Sequence, residues 1–291
     1  MGRLILGFFC VFLSGAVFAA GPDSVRKRVQ ETMLVTGLIQ VAPGGSVVHY
    51  TLDHPDALPP EVSLLIGRVI PAWKFAPFMV DGKAVLQDAK MALRVVAKPL
   101  GDDNYRITVT GTWFGDDTSG QDHVSQETIS YKRRVQPIYP RAALDGRVSG
   151  TVYVLLKVGR DGKVADAVAT QVNLRVIASD SELASWRKVL ADAALHALKQ
   201  DTFNPPTAGS AVDQPYWLVN IPVGFRLAGR WAPAASQEAD YGQWQPYVPG
   251  PVQESPWANL SELPGSADAV PEGGVLPVKT SLHLLTPVGD Q

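Results

Sequence analysis

The sequence predicts an α+β protein: an antiparallel three-stranded sheet packed with helices, present in two tandem copies and followed by an extended Pro/Gly-rich tail. Three observations carry this reading. Asp161-Gly162 lies between two apolar runs, the strongest short-range hairpin signal, because glycine supplies the positive φ such turns need. Leu183, Trp186, Leu190, Ala193, Ala194, Ala197 and Leu198 recur at helical spacing and give one apolar stripe, which must cover a sheet. Residues 34–98 repeat the same order of hairpin, helix and strand.

Residues 1–19 read as a secretory signal. Arg3 gives a positive start, Leu4 to Leu13 is apolar, and Val17-Phe18-Ala19 ends in residues suited to cleavage after Ala19. The apolar run is short of the ~20 residues that a spanning helix needs, although Gly15 to Ala20 extends it. The one cysteine, Cys10, lies in this segment and lacks the Leu-x-Gly-Cys context of a lipoprotein. A cleaved chain therefore has neither disulfides nor a catalytic thiol.

In the first copy, residues 34–114, Thr36-Gly37-Leu38-Ile39-Gln40-Val41 matches Ser149-Gly150-Thr151-Val152-Tyr153-Val154, and Gly44-Gly45-Ser46-Val47 stands where Asp161-Gly162-Lys163-Val164 stands. Pro59 and Pro60 suit a first helical turn, where a missing N–H costs nothing. Val62, Leu65, Ile66, Val69, Ile70 and Trp73 mark an apolar stripe, and Trp73-Lys74-Phe75-Ala76-Pro77 closes it. Strands are expected at Met91–Ala97 and Tyr105–Phe114. Residues 115–136 read as a linker, with the acidic, aperiodic Gly115–Asp122 at its start and Lys132-Arg133-Arg134 as a solvated basic cluster. The three aspartates fit no EF-hand spacing. The second copy spans 137–228, with Ser179 and Glu182 forming a capping box at the head of its long helix. From 229 to 291 no period holds, and the tail reads as extended or disordered, with one short strand within Val275–Val288.

Tyr139-Pro140 before a short helix, Gly150-x-Val152-x-Val154, Asp161-Gly162-Lys163-Val164, a helix running into Phe203-x-Pro205, and Val219-x-Ile221-Pro222-Val223-x-Phe225 fall in this order over about a third of the chain. Together they resemble the C-terminal domain of TonB energy transducers. Thr202-Phe203 departs from the usual Trp-x-Phe, and Ala208–Pro215 is an insertion. The resemblance implies a domain standing in the periplasm that grips an extended segment of outer-membrane receptors by adding a strand to its sheet.

Nothing else in the sequence points to chemistry. The net charge of −2 and the lack of a basic stripe argue against nucleic acid. His49, His54, His123, His196 and His283 have no second ligand at metal spacing, and no nucleophile elbow, P-loop or Rossmann fingerprint occurs. No cofactor, metal or enzymatic activity is expected. The expected binding site is the last strand, through Leu218, Val219, Asn220, Ile221, Pro222, Val223 and Phe225. An edge strand presents unpaired N–H and C=O groups to a partner. Pro222 lacks an N–H and belongs at such an edge, either admitting a partner or guarding against one. Asn220 between Val219 and Ile221 suggests one core face and one solvent face, and a proline at Asn220 or Val223 is expected to disrupt pairing. The reading is thus a periplasmic protein-binding module for envelope proteins, outer-membrane receptors among them. One alternative is a membrane-anchored energy transducer that keeps residues 4–20 as its anchor, and a more distant one is a periplasmic hydrolase.

Overall fold

The computed structural model describes residues 29–102, 104–115, 126–209, 211–227, 240–258, 266–272, 274–278 and 282–288. The signal segment 1–19, Cys10 and His123 lie outside them. So does 116–125, which holds nearly all of the expected boundary stretch.

Alternating apolar residues build the first sheet. β1 (Gln30–Val41) turns through Gly45, at φ +82°, into β2 (Val47–Leu52). α1 (Pro60–Ala72) follows, with Pro60 at its first turn and Val62, Ile66 and Ile70 buried. Trp73 and Phe75 close the core, each edge-on to Phe114, with ring centroids 5.7 and 5.0 Å away. A small exposed hairpin, β3 (Met79–Val80) and β4 (Lys83–Ala84), leads to the long strands β5 (Gln87–Gly101) and β6 (Asn104–Gly115). β1 pairs with β2 and β5, and β6 pairs with β5 along nearly its whole length.

The expected linker ends earlier than position 136. β7 (Ser130–Arg133) pairs with the Phe203 strand, Ile129 joins the second core, and the Tyr131 ring stacks on Phe203 at 5.1 Å. The basic cluster therefore starts on a strand, with Lys132 and Arg133 both exposed and Arg134 over the Tyr131 ring at 5.5 Å. Hydrophobic Ile129 and aromatic Tyr131 among charged neighbours are too few to show a period, which is why composition suggested a linker.

α2 (Arg141–Asp145), β8 (Gly150–Gly159), β9 (Val164–Leu174), α3 (Asp180–Leu198), β10 (Thr202–Asn204) and β11 (Tyr216–Phe225) complete the second unit. The capping box forms: the Glu182 N–H donates to the Ser179 hydroxyl, and the Glu182 carboxylate accepts from the Ser179 N–H. β8 is central, between β9 and β11. Val152, Val154, Leu156 and Val158 face Leu183, Leu190, Ala194 and Leu198 of α3.

Asp201, at the junction of α3 and β10, accepts from the Val135 N–H at 2.7 Å, while its buried Oδ2 has no hydrogen-bond partner among the described residues. Burial raises this carboxyl from 3.8 to about 6, against the pull of the Val135 amide, Arg134 and Arg133. A carboxyl whose folded pKa lies above its unfolded one stabilises fully below the unfolded value and loses that contribution as pH rises through the folded one. Stability should therefore fall between pH 3.8 and about 6 on this account. Asp201→Asn should flatten that slope in urea melts run across the range, and an unchanged slope would mean that the carboxylate is solvated.

The tail is extended, but its described parts are packed on both units. β12 (Gln245–Tyr247) pairs with the start of β1, and Val248 then exchanges bonds of 2.9 and 3.1 Å with Leu174 of β9. β13 (Leu276–Pro277) pairs with β11. The two sheets thus have five and four strands rather than three each. α1 and α3 cover their outer faces, and the inner faces meet through tail residues Ala269, Val270 and Leu276 against Ala92, Trp113 and Tyr153.

Candidate binding edge

β11 is bonded to β8 from Tyr216 opposite Gly159 to Phe225 opposite Gly150. On its other side the one strand that pairs with it among the described residues is β13. Val219 stands opposite Pro277, Asn220 opposite Leu276, and the Val278 N–H donates to the Leu218 carbonyl at 3.1 Å. In an antiparallel ladder each residue turns both backbone groups to one side, alternately. The bond at Leu218 therefore assigns Leu218, Asn220, Pro222 and Gly224 to the outer margin, and the odd-numbered residues to β8.

This divides the expected site residues. Val219, Ile221, Val223 and Phe225 bury their side chains in the α3 core and direct their backbone groups to β8. Of the residues read from the sequence, Leu218, Asn220 and Pro222 remain at the margin. Gly224 joins them; its lack of a side chain hid it from a reading by alternation. The expected solvent face is also covered: Pro222 is buried, and Leu218 and Asn220 are half-buried. Glu272 lies over Gly224, where a Cβ would strike its carboxylate. It accepts from Arg226 Nε at 2.9 Å and from the Thr151 hydroxyl at 2.9 Å.

Beside the margin, a buried polar cluster ties the units to the tail. Arg94 donates from Nε to the Asp268 carbonyl at 2.8 Å and from Nη2 to the Tyr153 hydroxyl at 3.3 Å. The Asp268 carboxylate accepts from the Tyr247 hydroxyl at 2.5 Å and from Asn173 Nδ2 at 3.4 Å. Burial pushes the Tyr153 phenol up to about 12, against the pull of Arg94. Tyr153 reads as part of a strand and Tyr247 as one of the tail aromatics, but nothing in the sequence brings them together with Arg94, the single charge in an otherwise apolar strand run. His196 lies exposed on α3.

Residues 135–227 match the family model of the Gram-negative bacterial TonB protein C-terminal, and this segment is a TonB C-terminal domain. Domains of this family are non-enzymatic; they act in the cell envelope and interact with envelope proteins such as outer-membrane receptors. No curated protein and no solved structure matches the chain. The family's Trp-x-Phe is Thr202-Phe203 here, with Phe203 in the core. The insertion folds back on the hairpin, where Arg160 donates to the carbonyls of Val212 and Gln214 at 3.1 and 2.8 Å. Among the described residues no helix is long and apolar enough to cross a membrane.

Proposed function

We propose that the chain is exported by cleavage after Ala19 and acts in the periplasm as a protein-binding module. Its ligand is an extended segment of an outer-membrane receptor or another envelope protein, taken up as an added strand along the outer margin of β11. The supporting observation is the asymmetry of β11, which is bonded to β8 throughout and, among the described residues, on its margin only around Leu218–Asn220, where an extended segment already pairs with it. Affinity in this mode comes from main-chain bonds, so margin donors matter more than side chains.

Titrating the isotope-labelled chain with N-terminal peptides of outer-membrane receptors tests this. The Asn220 and Gly224 amides should shift and gain protection. Shifts centred on Gly150–Val158 or on α3, with Asn220 and Gly224 unmoved, would defeat the assignment. The two prolines considered above also separate: Asn220→Pro removes a margin donor and should weaken binding alone, whereas Val223→Pro removes a donor to β8 and should damage the sheet.

We also infer that residues 34–114 are a diverged copy of the second unit. Both have their first strand between the second and the third. The Phe75 N–H donates to the Gly45 carbonyl at 2.8 Å and the Phe203 N–H to the Gly162 carbonyl at 2.8 Å, each locking the aromatic residue to its hairpin turn. Gly45 and Gly162 have φ +82° and +75°, and a Cβ on either meets the carbonyl of Phe75 or Phe203. Gly45→Ala and Gly162→Ala should each lose at least ~1–2 kcal/mol from the left-handed backbone alone, read by urea denaturation. A neutral result at either position would separate the two turns and count against the duplication.

A further inference from the structure

We propose that residues 274–278 are a built-in occupant of the β11 margin, and that a partner strand binds only when this tail segment leaves. This rests on the strand-addition reading above and adds its regulation. The segment uses the bonds a partner would use, since Val278 donates to the Leu218 carbonyl and Leu276 stands opposite Asn220, at the next position facing the margin. It is held by burial as well, with Val275, Leu276 and Val278 packed away from solvent.

Its ladder is also limited at both edges. Pro277 stands opposite Val219, at a position whose N–H points away from β11, so the missing donor costs the pairing nothing and blunts the outer edge against a further strand. The next margin position after Asn220 is Pro222, which has no N–H to give Gly274, and the pairing stops at Asn220 and Leu276. A short ladder of this kind occupies the margin yet is replaceable by a longer strand that continues to Gly224. By mass action, the apparent affinity of any partner is reduced by the fraction of chains whose margin is open.

The probe is a labelled peptide with the sequence of residues 271–280, measured beside the receptor N-terminal peptides. The full chain carries Cys10→Ser throughout. One variant, Val278→Pro, removes the donor to Leu218 and leaves β11 unchanged. The other, Asn220→Cys with Leu276→Cys, locks the segment in place. Facing residues of a hydrogen-bonded pair have Cα atoms about 5.5 Å apart, within disulfide range.

Val278→Pro should bind the tail peptide at least ~10-fold tighter than the unreleased chain, in proportion to the opened fraction. The oxidised double-cysteine chain should not bind it, and dithiothreitol should restore binding. Because the lock is reversible in one sample, misfolding cannot mimic this result. Equal binding of the tail peptide to released, unreleased and locked chains overturns the proposal. So does tight binding of receptor peptides at Asn220 and Gly224 in the locked chain, which leaves the strand-addition reading standing. If the tail peptide follows the lock while receptor peptides bind no form, the occupant is upheld and the receptor reading falls.

Discussion

Phe203→Ala is expected to destabilise the chain by about 3–5 kcal/mol, the range for removing a large buried aromatic. Phe203 is 1% exposed, and three separate elements converge on it. Its ring stacks on Tyr131 of β7 at 5.1 Å, its N–H bonds the Gly162 carbonyl of the β8–β9 turn, and its side chain belongs to the core under α3. Truncation leaves a cavity that cannot collapse, because the backbone on either side is fixed by the bond to Gly162 and by the pairing of β10 with β7. Urea denaturation of the full chain followed by tryptophan fluorescence reads the loss. A value below ~1 kcal/mol would mean that the ring is not in the core, and that the alignment with the family's Phe-x-Pro position slips.

Arg94→Met should have an effect of similar size, about 3–5 kcal/mol, for an electrostatic reason. Arg94 is 9% exposed, and its guanidinium is held by the Asp268 carbonyl, the Tyr153 hydroxyl and the Thr32 hydroxyl. Methionine fills much of the volume but leaves those acceptors unsatisfied and the nearby buried Asp268 carboxylate without its cation. Tyr247→Phe removes the hydroxyl that donates to the Asp268 carboxylate and should lose ~1.5–3 kcal/mol. Arg94→Met and Asp268→Asn should be less than additive in a double-mutant cycle, since each removes one side of the same charge balance. Additive losses would show that the two charges are screened from one another.

The second unit was legible because its signals are local. Asp161-Gly162 sets a turn, Ser179 and Glu182 set a helix start, and the stripe from Leu183 to Leu198 sets a buried face. Trp73 and Phe75 were equally legible, as large apolar residues directly after an apolar helix. The tail was harder to read. Val275, Leu276 and Leu282 are buried against surfaces made by strands far away in sequence, so no period within the tail announces them. The same holds for Ile129 and Tyr131, whose partner is Phe203. At the candidate edge the residue range was readable, but its division was not. Apolar alternation marks which side chains enter a core; it does not say which neighbour each backbone group faces, and only the bond from Val278 to Leu218 resolves that.

β6 carries a consequence for stoichiometry. In the first unit β5 is bonded to β1 on one side, and on the other β6 pairs with it from Lys90 opposite Gly115 to Gly101 opposite Asn104. β13, by contrast, pairs with β11 only at Val219 and Asn220 among the described residues, so β6 is much the harder of the two to displace. If β11 takes up a partner strand as proposed, the chain offers one exchangeable closing strand, and peptide titrations should saturate at one equivalent. Gain through bivalent attachment, which can exceed a single-site affinity by ~100-fold or more, would then require a second copy of the chain rather than its first unit.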